Sequence, residues 1–205
     1  MKALPKKLLP LTLFGFAVTS IFSVRTAQAY TVTLKQVLSN VVANGSGVIN
    51  LTGLSFMGEA SIRPVINPFT AFIVTGSTGS ASTYGGFTGP TTFGGGTFTP
   101  PNASSGDVVG ISEITTFPVL LVPQGYISNT ALSSSSTWNN TDFASLGLTP
   151  GTYIWSWGTG LPNQNFVLQI PSVGVPGVPD GGSTVSLLGC ALLGCLAAKI
   201  DLSGD

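Results

Sequence analysis

Few residues in this chain have side chains suited to catalysis. Between Tyr30 and Pro179 there are four carboxylates, Glu59, Asp107, Glu113 and Asp142, with Lys35 and Arg63 as the only cations, and the whole sequence has no histidine. The usual general base and the commonest metal ligand are therefore missing. A glycoside-cleaving pair needs two carboxylates about 5 to 10 Å apart across a cleft, and the spacing of these four singles out no pair. They also lack the Asp-x-Asp spacing of a calcium loop. Ser133-Ser134-Ser135-Ser136 offers hydroxyls with no base beside them and reads as loop. Glu59 and Arg63, four residues apart, make at most a weak surface pair. No catalytic residue, metal site or cofactor is expected, and the chain does not read as an enzyme. The constellation with binding chemistry is aromatic. Tyr153, Trp155 and Trp157 alternate and so share one face of a strand, where their rings could stack on sugars or fill a core. Trp138, flanked by serines, threonine and asparagines, is expected to be exposed. These four are the candidate carbohydrate contacts. Asn44, Asn50, Asn102 and Asn139 each begin an Asn-x-Ser/Thr triplet, a pattern that chance supplies in so polar a chain.

Composition narrows the class further. Of 205 residues only 7% are charged while 43% are hydrophobic, against roughly 25% charged in an ordinary domain. No basic patch exists to meet nucleic acid. The segment 30–179 contains no cysteine, since Cys190 and Cys195 lie near the C-terminus. The fold must rest on packing.

The elements that position these residues read as strands. Val32 and Leu34, then Tyr153, Trp155 and Trp157, then Phe166, Leu168 and Ile170 follow a period of two. Further strands are expected at 47–52, 70–75, 91–98, 108–116 and 117–122, rich in Val, Ile, Phe and Thr. Pro150-Gly151 suits a type II turn. A single short helix is expected at 140–146, capped by Asn140 or Thr141. The stretch 76–106 has 31 residues, of which 24 are Gly, Ser, Thr or Pro. It is expected to be a long flexible loop carrying Tyr84, Phe87, Phe93 and Phe98.

Both ends read as addresses. Lys2, Lys6 and Lys7 precede an apolar run from Leu8 to Val24, and Ala27-Gln28-Ala29 supplies small residues for a signal peptidase. Residues 1–29 thus read as a signal peptide in helical form, cut between Ala29 and Tyr30. Its removal leaves 3 basic against 7 acidic side chains, a net charge of −4. At the other end, a Pro/Gly linker over 171–179 leads to a second apolar helix at 183–198, somewhat short of the roughly 20 residues that span a bilayer.

Val178-Pro179-Asp180-Gly181-Gly182-Ser183, the small-residue apolar helix and Lys199 resemble a PEP-CTERM sorting tail in its Val-Pro-Asp variant. Gly181-Gly182-Ser183 also fits the glycine-glycine tails cut by rhomboid-like proteases, but Pro179-Asp180 favours the first family. Lys199 stands where that family usually has a cluster of arginines, and Cys190 and Cys195 stand where it mostly has leucine or alanine; they read as small apolar residues. The segment 123–158, with Thr149-Pro150-Gly151-Thr152-Tyr153 its clearest part, resembles the C-terminal half of many such proteins. The resemblance implies cleavage near Pro179-Asp180 by an exosortase-like membrane enzyme, passage through the inner membrane with transient anchoring by the tail helix, and an association with exopolysaccharide.

The sequence therefore predicts an all-β protein, a single β-sandwich or jelly-roll-like domain over 30–170, between an N-terminal signal helix and a C-terminal transmembrane sorting helix in a tail of residues 180–205. The predicted role is that of an exported structural protein of the cell surface or extracellular matrix. The alternative is a carbohydrate-binding module using exposed aromatics of the 153–157 strand.

Overall fold

The computed structural model describes residues 28–114 and 117–172. The expected signal helix, the linker beyond Ser172, Cys190 and Cys195, and the tail helix lie outside the described residues. No helix among the described residues is long and apolar enough to cross a membrane.

The described chain is all-β. Its strands are β1 (Tyr30–Val37), β2 (Asn40–Val48), β3 (Ser55–Ile62), β4 (Val65–Asn67), β5 (Phe72–Thr75), β6 (Gly79–Gly85), β7 (Ala103–Gly106), β8 (Val109–Ile114), β9 (Phe117–Pro123), β10 (Ala131–Trp138), β11 (Gly151–Ser156) and β12 (Asn165–Ile170). They form two six-stranded sheets. The order is β11-β12-β1-β2-β10-β7 in the first and β3-β6-β9-β8-β5-β4 in the second. One apolar cluster unites them, with Tyr30, Leu34, Trp138, Trp155 and Phe166 from the first sheet meeting Ile73, Ile111, Leu120 and Val122 from the second. This is the packing of a sandwich. A smaller cluster of Val74, Ala81, Val108, Val119 and Leu121 makes the second sheet apolar on its other face too.

Several expectations are corrected. A jelly roll is antiparallel throughout, whereas β1 runs parallel to β12, pairing Tyr30 with Phe166 and Thr33 with Gln169. The helix expected at 140–146 is a turn closed by Asp142, whose Oδ1 accepts from the Ser145 N–H at 2.7 Å. Among the described residues the regular helical piece is instead a 3-10 turn at Pro68–Thr70, where proline presets the first φ. No strand forms at 91–98. The serine run 133–136 is not a loop but the middle of β10, where Leu132, Ser134, Ser136 and Trp138 alternate inward.

Stretch 76–106, expected as a flexible loop, contributes β6 and β7, and the coil between them is anchored. Phe93 is buried, its N–H donates to Pro68 O at 2.9 Å, and its carbonyl accepts from Thr149 N at 3.0 Å. Gly95 N donates to Gly147 O at 2.9 Å. A Cβ on Gly94 or Gly96 would collide with the carbonyls of Gly147 or Leu146. The glycines thus let one backbone lie directly on another, and two phenylalanines bury enough surface to offset the ordering entropy.

A buried hydroxyl relay ties the sheets together. Tyr30 Oη lies 2.6 Å from Ser134 Oγ, which lies 2.6 Å from Thr75 Oγ1, which donates to Val109 O at 3.3 Å. Since Thr75 gives its one proton to the carbonyl, Ser134 donates to Thr75 and Tyr30 donates to Ser134. Gly45 on the neighbouring strand leaves the space that the phenol fills. Burial pushes the Tyr30 phenol up to about 12 from 10.0, against the pull of its hydroxyl partners.

That shift fixes a pH dependence. The unfolded chain ionises Tyr30 above pH 10 while the folded chain does not until about pH 12. Stability contributed by the neutral phenol is therefore full below pH 10 and is lost as pH rises through about 12, some 2 to 3 kcal/mol in all. Chemical denaturation of the wild type across this range should show that loss. Tyr30→Phe should cost about 1 kcal/mol at pH 7 and flatten the alkaline slope; an unchanged slope would exclude Tyr30 as its source.

Candidate functional site

The four candidate sugar contacts do not come together on the surface. Trp138 is 1% exposed, Trp155 2% and Trp157 6%, so they present no face for a ring to stack on. Each indole N–H is spent on a carbonyl: Trp138 on Thr99 at 3.0 Å, Trp155 on Pro90 at 3.1 Å, Trp157 on Asn50 at 2.7 Å. Tyr153 is half-buried, with its ring 5.8 Å from Phe93 and its hydroxyl donating to Thr149 O. The exposure expected of Trp138 fails because β10 turns it inward with Ser134 and Ser136. The 153–157 aromatics are a wall of the core, and the sugar platform proposed for them is lost.

One concave surface does reach an aromatic of that strand. A groove of about 470 Å³ is lined by Phe69, Phe87, Thr88, Pro90, Ser112 and Trp155 among others, none of them charged. Phe69 beside it is exposed, whereas Phe87 is buried. No local sequence pattern announces this groove, because its walls come from the 3-10 turn, the glycine-rich stretch and the second sheet.

The carboxylates are scattered. Glu59 lies on edge strand β3 and accepts from Gln124 Nε2. Asp107 accepts from Ser133 N at 2.8 Å, fastening the β7–β8 connection to β10. Asp142 caps its own turn, and the backbone N–H of Ser145 holds its carboxyl below the usual range. Glu113 is in register with Pro118 on β8 and β9. Among the described residues no group of three or more His, Cys, Asp or Glu could hold a metal ion. Of the Asn-x-Ser/Thr asparagines, Asn50 is buried, with its amide donating to Pro162 O and accepting from Thr52 N.

At the N-terminal processing site Ala27 lies outside the described residues. Ala29 pairs with Val48, Gln28 O accepts from Val48 N at 3.0 Å, and Tyr30 is wholly buried. The six residues of the sorting motif, Val178, Pro179, Asp180, Gly181, Gly182 and Ser183, lie outside the described residues as well.

Comparison with known families finds a match at that tail. Residues 177–199 match the VPDSG-CTERM motif, a variant of the PEP-CTERM sorting signal; in this chain Gly181 stands where the motif's name has serine. Such a tail marks an exported chain with a membrane-anchored precursor, processed by an exosortase-like enzyme. The match covers the tail alone. No curated protein and no solved structure matches the chain.

The packing of the glycine-rich stretch can be tested by truncation. Phe93→Ala should cost about 3 to 5 kcal/mol, the range for a buried aromatic. Phe98→Ala, at a position 63% exposed, should stay within about 1 kcal/mol. Equal small losses in urea denaturation would return the stretch to the status of a spacer.

Proposed function

We propose that the chain is a non-catalytic structural protein of the cell surface or extracellular matrix, delivered there by its sorting tail. The observation that carries this reading is the match of residues 177–199 to a C-terminal sorting motif. Two properties of the body support it. Three of the four candidate acids, Glu59, Asp107 and Asp142, are held by different parts of the described fold and do not assemble with one another as an acid–base pair. Only 7% of the residues are charged, and so charge-poor a chain is only weakly repelled by an anionic or a cationic polymer mesh.

The processing test is mass and terminal sequencing of the protein from cell envelope and medium. The expected species begins near Tyr30 and ends near Pro179 or Asp180. Asp180→Ala should accumulate the unprocessed chain in the membrane fraction. A wild-type chain still ending at Asp205 in the membrane would remove the sorting reading, and with it the matrix role.

A further inference from the structure

The outer face of the first sheet carries a row of uncharged polar residues that crosses all six strands. In register, Thr152 on β11 pairs with Gln169 on β12, Gln169 with Thr33 on β1, Thr33 with Asn44 on β2, Asn44 with Ser135 on β10, and Ser135 with Ser105 on β7. A second row continues the chemistry with Thr31, Ser46 and Ser133. None of these nine side chains belongs to the buried set. Neighbouring strands lie about 4.8 Å apart, so the first row spans about 24 Å. From these rows we infer that the outer face of the first sheet is a binding surface for a neutral, hydroxyl-rich polysaccharide chain.

The chemistry of the face selects that occupant. Exposed sheet faces ordinarily carry long charged side chains, but here Lys35 is the one charged residue among the paired positions of the face. A nucleic acid would need a cluster of cations. A protein partner would be anchored by aromatic or arginine side chains in its centre, and these rows contain neither. What they offer is a regular array of short donors and acceptors, stiff where threonine supplies them. Thr33 Oγ1 donates to Gln169 Oε1 at 3.2 Å, while Asn44, Ser46 and Thr152 are exposed and Ser135 is half-buried. They are available to a ligand that both donates and accepts, which is what sugar hydroxyls do.

Shape agrees with chemistry. A groove of about 310 Å³ runs on this face, lined by Thr31, Thr33, Lys35, Asn44, Ser46 and Gln169. Gln28 is the remaining lining residue, and it precedes the expected signal-peptide cut. Strands twist by about 20° from one to the next, so a flat crystalline surface cannot follow six of them. A single flexible polymer chain can.

This inference rests on the matrix reading but is tested apart from it. The exported protein, purified from the medium, is mixed with suspensions of amorphous swollen cellulose, amorphous swollen chitin and cross-linked dextran, and with alginate gel as the anionic polymer; the fraction sedimenting with each is measured. Binding to at least one neutral polymer in preference to alginate is expected. Asn44→Lys with Ser135→Glu places a compensating cross-strand pair over the middle of the row, without changing net charge, and should lower that binding about tenfold or more. Ser61→Lys with Ser80→Glu, an equivalent pair on the second sheet, should leave it unchanged. No binding to any of the three neutral polymers, preference for alginate, or equal loss in both variants would overturn the inference. A protein that localises to the matrix yet fails here leaves the matrix role standing; one that binds here yet is absent from the matrix removes that role and keeps the surface.

Discussion

The Tyr30–Ser134–Thr75 relay is the join on which the two sheets depend. Three hydroxyls buried without partners would each cost of the order of 1 to 3 kcal/mol, so this seam is stable only in the register that satisfies all of them. Tyr30 opens β1, which lies between β12 and β2. Slipping β1 by one residue would carry the phenol to the outer face and Thr31 into the core. A single polar contact thereby fixes the register of the strand that joins the first and last parts of the described fold. Between Tyr30 and Pro179 there is no cysteine to do this by a disulfide and there are few charges to do it by ion pairs.

The same economy shapes the rest of the molecule. Buried amides and hydroxyls take the place that charge holds elsewhere. Gln164 Oε1 accepts from the backbone N–H groups of Thr159, Gly160 and Leu161, and its Nε2 donates to Thr52 O. The Tyr126 hydroxyl accepts from Ile49 N and lies within hydrogen-bond distance of the Ile49 and Thr130 carbonyls. Uncharged polar side chains thus hold the loops inside the molecule and line the first sheet outside it. One composition serves cohesion and exposure together.

How much of this was legible differs by element. The strands around Val32, Tyr153 and Phe166 were readable because large apolar residues alternate there, and the hydrophobic runs at 108–116 and 117–122 correspond to β8 (Val109–Ile114) and β9 (Phe117–Pro123). Strand β10 was hidden because its inward positions are serines at 134 and 136. Their burial depends on Tyr30 and Thr75, distant partners that no local pattern announces. Trp138 looked exposed for the same reason. The coil from Phe87 to Phe98 misled in the opposite direction, since glycine there serves close backbone approach to residues 146–148 and not freedom. Of the candidate sites, the sorting motif was legible because it is a local, contiguous signal. For the aromatic constellation, whether Trp155 and Trp157 meet solvent depends on packing against the second sheet, which no local pattern shows. The six-strand row needed the register of strands as far apart as Thr33 and Gln169.

The parallel pairing of β1 with β12 has a consequence for how the chain is made. A polypeptide that crosses a membrane from its N-terminus delivers β1 early, yet one of the two neighbours of β1 is not delivered until Ile170 has crossed. Until then the inner side of β1 lacks Phe166 and Leu168, and the first sheet cannot close. Such long-range pairing folds slowly. The second sheet has all its strands once Pro123 has crossed, but the first is completed only when its last strand arrives, just ahead of the sorting tail.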